Sequence, residues 1–343
     1  MSHETAIWVK PDAAAPTTST TATEPQVVKD NPFVFNSGDV RILVLHNGER
    51  IEGKASSHAL CLASPVWRKF LFPPWKDEDE NAPYPKETKQ IDFTDDDSAA
   101  VLVLLNIAHL RFRHVPGWLP YEFLLQVAVL CDQYDCVDLV RPWLLDNLWL
   151  RDESKEAIKS GQEKWLFIAW VFARDDIFKH LANKLVRSIS LLSNDEDKWI
   201  AATPMPPLII ENVLSCRKDL ITSLLKIPYD ILTELEQRNP SISTCVHGTV
   251  LQCDELRYGS LILSLRRCGL YPPLNPENVD IAVNELVDIL NKVSIRYLPK
   301  TTSYQLGHND CGVTHLGRLV ADELAKPVDP LLDSHRARFQ AQK

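Results

Sequence analysis

The dipeptide Asn47-Gly48 lies between two runs rich in β-branched and alternating residues, in the stretch DVRILVLHNGERIEG (39–53). A two-residue turn that reverses a strand needs backbone of positive φ at its centre. Gly accepts this without a Cβ clash, and Asn tolerates it better than most residues. The stretch therefore predicts two strands joined at Asn47-Gly48. A lone hairpin is marginal in water, and the segment after it has helical character.

SSHALCLASPVWRKFLF (56–72) reads as two short helices broken at Ser64-Pro65. Pro65 suits a first helical turn, where its missing N–H costs nothing, and Ser64 suits the cap before it. KQIDF (89–93) reads as a short strand. Asp95, Asp96 and Asp97 then lead into DSAAVLVLLNIAHL, an apolar helix with acids at its positive end. LPYEFLLQVAVLCDQYDCVDLVRPWLLDNLWL (119–150) predicts two more helices with a joint near Tyr134-Asp135. Two polar stretches interrupt this order. Residues 1 to about 30 are rich in Thr, Ala and Pro without periodicity and read as a disordered tail. PPWKDEDENAPYPKE (73–87) reads as an exposed loop.

This order of hairpin, helical pair, strand, helix and helical pair resembles the BTB/POZ domain. The resemblance is carried by GDVRILV (38–44), SSHALCLASPVWRKFL (56–71), IDFTDDDSAAVLVLLNIAHL (91–110) and VAVLCDQYDCVDLVRPWL (127–144), and it spans residues 35–150. It implies an α+β fold with a small sheet and helical pairs, acting as a non-enzymatic protein–protein interaction module. It further implies a homodimer formed through residues 56–72, with Trp67 and Phe70 as interface candidates, against the preferred reading of both as core residues. Asp39 and His58 occupy positions of a family motif near the centre of the fold and are expected to be structural. Some members of the family are substrate adaptors of a cullin-based ubiquitin ligase, using a hydrophobic-x-Glu segment after the second short helix. The equivalent stretch here, FLFPPWKDEDE, is broken by proline, and Trp75-Lys76-Asp77 offers Asp in place of Glu.

Beyond a polar joint at 151–163, apolar residues recur at helical spacing in two runs parted around Arg174-Asp175 and again over 208–235. An all-helical segment over 151–238 looks like the BACK-type extension of BTB proteins. WLFIAWVFARDDIFKHLANKLV (165–186) resembles a set of fungal BTB-domain proteins. A mostly helical module over 239–330 and a short tail over 331–343 complete the expected layout, preceded by the tail at 1–34.

The last hundred residues concentrate cysteine and histidine. Cys245, His247 and Cys253 fall in one loop, and His308, Cys311 and His315 fall in QLGHNDCGVTHLG (305–317). Zinc takes four ligands in a tetrahedron from thiolate sulfur and imidazole nitrogen. Cys245 with Cys253, and His308 with Cys311, are two short-range pairs able to supply one structural zinc across an intervening helical hairpin. His247 and His315 are spare candidates. The same residues are equally readable as unligated thiols and surface histidines. Cys268, beside Leu261 and Leu265 on a helical run, reads as core. The fungal proteins named above show a similar Cys/His-bearing loop and a late His-x-x-Cys. QLGHNDCGV also looks like the nucleophile segment of SUMO-protease-like cysteine peptidases, with Gln305 and Cys311 in the oxyanion and nucleophile roles. That chemistry needs an upstream His-Trp base, and the sequence has no His-Trp anywhere.

Composition excludes other classes. Net charge is −9, and no Lys/Arg block offers a grip on nucleic acid. No segment reaches the roughly 18 apolar residues that span a membrane. The start of the chain lacks the pattern of a secretory signal, so an intracellular location, in cytoplasm or nucleus, and reduced cysteines are expected. Among phosphate-binding and metalloprotease motifs, GxGxxG, GxxxxGK[ST] and HExxH are all missing from the sequence.

Overall fold

Asn47 and Gly48 take φ of 53° and 79°, the left-handed pair that a tight hairpin turn demands. They join β1 (Val40–His46) to β2 (Glu49–Ala55), which pair antiparallel from Val40↔Ala55 to His46↔Glu49. The computed structural model describes residues 31–74, 89–145, 148–159, 161–192, 204–237, 242–248, 250–299, 308, 311 and 315–342. The expected tail over residues 1–30, the acidic part of the loop at 73–87, the Trp75-Lys76-Asp77 segment and Gln305 lie outside the described residues.

β3 (Gln90–Phe93) joins the other edge of β1 in parallel, giving the order β2-β1-β3. Parallel neighbours need a crossover. Between β2 and β3 the chain forms α1 (Ser57–Ala63) and α2 (Pro65–Leu71). Ser64 separates these two helices as expected. Its Oγ accepts from Val66 N at 3.2 Å and Trp67 N at 3.0 Å, and it donates to Tyr134 O at 2.5 Å. One hydroxyl thus caps α2 and ties it to a later helix.

α3 (Ser98–Ala108) starts at Asp97, whose carboxylate accepts from Ala100 N at 2.8 Å. Ala100, Val101, Val103, Leu104, Leu105 and Ile107 are all buried. A helix apolar on nearly every side belongs inside a protein, and α3 lies against β1, α1 and α4 (Tyr121–Gln133). Asp135, with φ 48°, breaks the chain between α4 and the single turn α5 (Val137–Val140), where the joint was expected. The rings of Trp67, Phe93 and Tyr134 meet pairwise with centroids 5.4–5.8 Å apart, at the junction of α2, β3 and α4. Mixed α and β structure with a small three-stranded sheet is therefore established.

Several expectations change here. Trp67 is 0% exposed, so of its two readings the core one holds and it drops out as an interface candidate. On a seven-residue helix one face must meet the core, and the larger ring took it. Phe70 is 56% exposed. Asp39 and His58 are both exposed rather than central. Asp39 accepts from Ser57 N and Ser57 Oγ, each at 2.6 Å, which fastens the start of α1 to β1 from outside. The packed chain also begins two residues before the expected boundary at 35. Phe33 is fully buried, and its carbonyl accepts from Lys54 N at 3.0 Å.

The helical remainder comprises α6 (Glu153–Glu156), α7 (Trp165–Val171), α8 (Asp175–Ser188) and α9 (Ile209–Glu236). These are followed by α10 (Leu251–Arg267), α11 (Val283–Leu290), α12 (Leu316–Leu324) and α13 (Asp333–Gln342). The break at Arg174-Asp175 falls as expected. The helical spacing over 208–235 belongs to one continuous helix, Ile209–Glu236. It runs through Pro228, which is buried together with Leu224, Leu225, Ile231 and Leu232, so side-chain packing holds the helix past its missing N–H.

Residues 331–342, the described part of the expected tail, are packed and helical. α13 buries His335 and Phe339, which sit four residues apart on one face. Their rings meet Trp170 at 5.2 and 5.5 Å and Phe178 at 5.7 and 5.2 Å. His335 also uses both ring nitrogens. Nδ1 accepts from Leu332 N at 3.1 Å, and Nε2 donates to Pro207 O at 2.8 Å. Residues Phe33–Lys343 form one unit, with a hydrophobic core that continues from Phe33 to Phe339. The buried Arg217 side chain on α9 helps to join it, donating to the carbonyls of Ile189, Val279 and Ile281 at 2.7–3.2 Å.

Candidate metal centre

The loop before α10 is shaped by its own polar side chains. Ser243 Oγ donates to Val250 O at 3.0 Å and accepts from Cys245 N at 3.1 Å. Thr244 N donates to the Asp254 carboxylate at 2.8 Å, and Thr244 Oγ1 reaches the same group. Arg257, buried on α10, stands 3.5 Å from Asp254 on the other side. Gly248, with φ 112°, turns the chain back, and Val250 N donates to Gly248 O at 2.9 Å. Cys245 and Cys253, eight residues apart, are thereby brought to one point.

His308 and Cys311 arrive from the other end of the sequence. Cys311 N donates to His308 O at 3.0 Å. This single turn places residues three apart on the same side. Cys245 Sγ lies 3.2 Å from His308 Nδ1 and 3.6 Å from Cys311 Sγ, and Cys311 Sγ lies 3.5 Å from His308 Nδ1. With Cys253 included, the four ligand atoms all lie within 4.8 Å of one another. The cluster of Cys245, Cys253, His308 and Cys311 could hold a metal ion.

The donor geometry can be checked against the ion. Bond lengths of about 2.3 Å to sulfur and 2.0–2.1 Å to nitrogen give tetrahedral edges of about 3.8 Å between sulfurs and about 3.6 Å between sulfur and nitrogen. The three short separations fall at or slightly inside those edges. Cys253 and Cys311 are both 0% exposed and Cys245 is buried, with Val250 and Leu298 packed against the three sulfurs. Burial pushes the Cys253 thiol up to about 12, reinforced by hydrogen bonds and charge from Cys311 and Cys245. Cys253 by itself thus resists ionisation. A dication at the centre of the cluster reverses that preference, because coordinated thiols are deprotonated outright.

Both short-range pairs predicted from the sequence meet in one place, but the two spare histidines do not join them. His247 lies beside the cluster, with its ring edge-on to His308 at 5.0 Å and its Nε2 buried without a hydrogen-bond partner. His315 is exposed at the start of α12. Cys268 is half-buried against the main core, as its helical neighbours suggested. The Ser243–Thr244–Asp254 cradle was not foreseen. Its signal was an acid directly after Cys253, placed to reach back to two hydroxyl residues directly before Cys245. A scan of the chain against models of known protein families gives no match, and a search of curated proteins gives none either. No helix among the described residues is long and apolar enough to cross a membrane.

Proposed function

We propose that this chain is a non-enzymatic interaction protein whose N-terminal α+β part acts as a BTB/POZ-type homodimerisation module, and whose C-terminal loops are clasped by one structural zinc ion. The dimer reading is carried by the apolar surface of the α1–α2 pair. Leu62 is 90% exposed, Phe70 56% and Phe72 45%, while Trp67 of the same pair is fully buried. Three large apolar side chains left on one short helical pair are suited to a partner surface. Val34 and Leu45, at 45% and 47% exposed, extend the apolar area near the first strand.

Zinc is supported by the donor set. Three soft thiolates and one imidazole, gathered within 4.8 Å of one another, match Zn²⁺ better than the oxygen-seeking cations. Four protein ligands leave no open position for a substrate, which is the pattern of a structural site. The same arrangement argues against Cys311 as a nucleophile. Its side chain is 0% exposed, and the imidazole beside it is shared with a second thiol.

Two measurements test this reading. Light scattering of the purified chain should give twice the monomer mass. The double variant Leu62→Asp/Phe70→Asp should give the monomer mass with an unchanged circular dichroism spectrum. A wild type that stays monomeric would remove the dimer reading. Elemental analysis after a chelator wash should give one zinc per chain, lost in Cys245→Ala and in Cys311→Ala. A metal-free wild type with unreactive Cys311 would leave the cluster as packed thiols.

A further inference from the structure

The Cys/His cluster stands apart from the rest of the interior. Cys245, Cys253 and Cys311 pack with Val250 and Leu298 in a cluster of their own, separate from the core that runs from Phe33 to Phe339. Its state can therefore change without the main core opening. It also holds one thiol more than a disulfide needs. Cys245 Sγ and Cys311 Sγ lie 3.6 Å apart, although 66 residues of chain separate them.

The three thiols differ in how they meet solvent. Cys253 and Cys311 are 0% exposed, whereas Cys245 is 8% exposed and sits between Thr244 and Val246, which are both exposed. A soluble oxidant therefore reaches Cys245 first. Oxidation of cysteine follows thiolate character and access, and a coordinated sulfur is held as thiolate.

We propose that the cluster is a peroxide-operated zinc switch, resting on the zinc reading above, in which Cys245 and Cys311 form a disulfide and the metal leaves. The Cys245 thiolate attacks one oxygen of hydrogen peroxide, breaking the O–O bond and giving a sulfenic acid and hydroxide. The Cys311 thiolate then attacks the Cys245 sulfur, closing the S–S bond and expelling a second hydroxide. The two thiolates give up two electrons, and the two peroxide oxygens take them. Cys253 and His308 remain, two ligands where a structural zinc takes four. The ion leaves, and the start of α10, which carries Cys253, is no longer tied to His308. A dithiol reductant reverses the step by thiolate attack on the disulfide, returning both thiols to the site.

The test exposes the full, zinc-loaded chain to hydrogen peroxide. Released zinc is read with a chromogenic chelator, and disulfides are mapped by peptide mass spectrometry. Release about tenfold or more faster than without peroxide is expected, with one zinc freed for each Cys245–Cys311 disulfide formed. Dithiothreitol with added zinc should restore the loaded protein. The variant Cys61→Ser/Cys216→Ser/Cys268→Ser, which lacks the three half-buried thiols outside the cluster, should release zinc as the wild type does. Matching circular dichroism spectra would establish that this variant is folded. A chain that holds no zinc before peroxide is added would overturn the zinc reading and the switch together. Zinc retained under peroxide, zinc released without the Cys245–Cys311 disulfide, or release abolished in the triple variant would overturn the switch and leave the zinc reading standing. Release that dithiothreitol and zinc do not reverse would do the same, marking damage and not a switch.

Discussion

Two regions of this molecule hold their shape by opposite means. Around β1–β3 and α1–α4, large side chains interlock, and Trp67, Phe93 and Tyr134 meet ring to ring with Ile42, Leu60 and Leu104 fully buried nearby. Around Cys245 and Cys311 the apolar contribution among the described residues is two half-buried neighbours, Val250 and Leu298. There the shape comes from directed contacts: a hydroxyl–carboxylate cradle and four ligand atoms at one point. A core spreads its stabilisation over many weak contacts, so it tolerates the loss of any one. A four-ligand clasp concentrates stabilisation in a few bonds that fail together.

The sharpest way to break the comparison is to remove the zinc proposed for the Cys/His cluster. Structural zinc sites in small domains contribute on the order of 10–16 kcal/mol of binding free energy. Cys311→Ala, or chelation of the wild type, should abolish hydrogen-exchange protection over 242–254 while β1 and β2 keep theirs. Loss of protection in both regions would show that the clasp is coupled to the whole core. Next in size is the core itself. Trp67→Ala removes a fully buried indole and should cost about 3–5 kcal/mol of global stability, read from denaturant midpoints. Zinc content should be unchanged in that variant wherever the chain remains folded.

A smaller effect is expected at Ser64. Ser64→Ala removes the cap of α2 and leaves Tyr134 O without its donor, for about 1–2 kcal/mol. Ser64→Thr should recover part of that loss. A neutral Ser64→Ala would mean that packing alone positions α2.

What the sequence made legible divides along the same line. Directed features were readable because single residue types carry them: Asn47-Gly48 for the turn, Ser64-Pro65 and Asp97 for helix starts, and the two Cys/His pairs for the cluster. Features decided by packing were not. Trp67 and Phe70 are three residues apart on a seven-residue helix, too short for periodicity to say which ring goes inward. α13 reads DSHRARFQAQ, with strongly polar composition, and only its docking against Trp170 and Phe178 turns His335 and Phe339 into core. Nothing in the sequence sets Arg217 apart from a surface cation, because the three carbonyls that hold it come from Ile189, Val279 and Ile281. The exposure of Asp39 and His58 was hidden for a related reason, since the motif position gives the residue type and not its surroundings.

Asp39 supplies the finest test, because it stabilises by direction and not by burial. Partial burial acts to raise its pKa, but the hydrogen bonds from Ser57 Oγ and N, its own backbone N–H and the nearby charge of His58 outweigh this and hold the carboxyl below the usual 3.8. A carboxylate whose folded value is depressed contributes stability that is present above the unfolded value and is lost as pH falls through the folded one. Asp39→Asn should therefore be less stable than the wild type at neutral pH, and the two should converge as the pH falls below 3.8 and through the depressed folded value. The side chain is exposed, so screening keeps the difference small, and added salt should reduce it further. Thermal melts of the two proteins along a pH series read it directly. A gap that stays constant through that range would mean that the Ser57 bonds position α1 equally well with a neutral acceptor, so that even the directed contacts at this edge act through shape and not through charge.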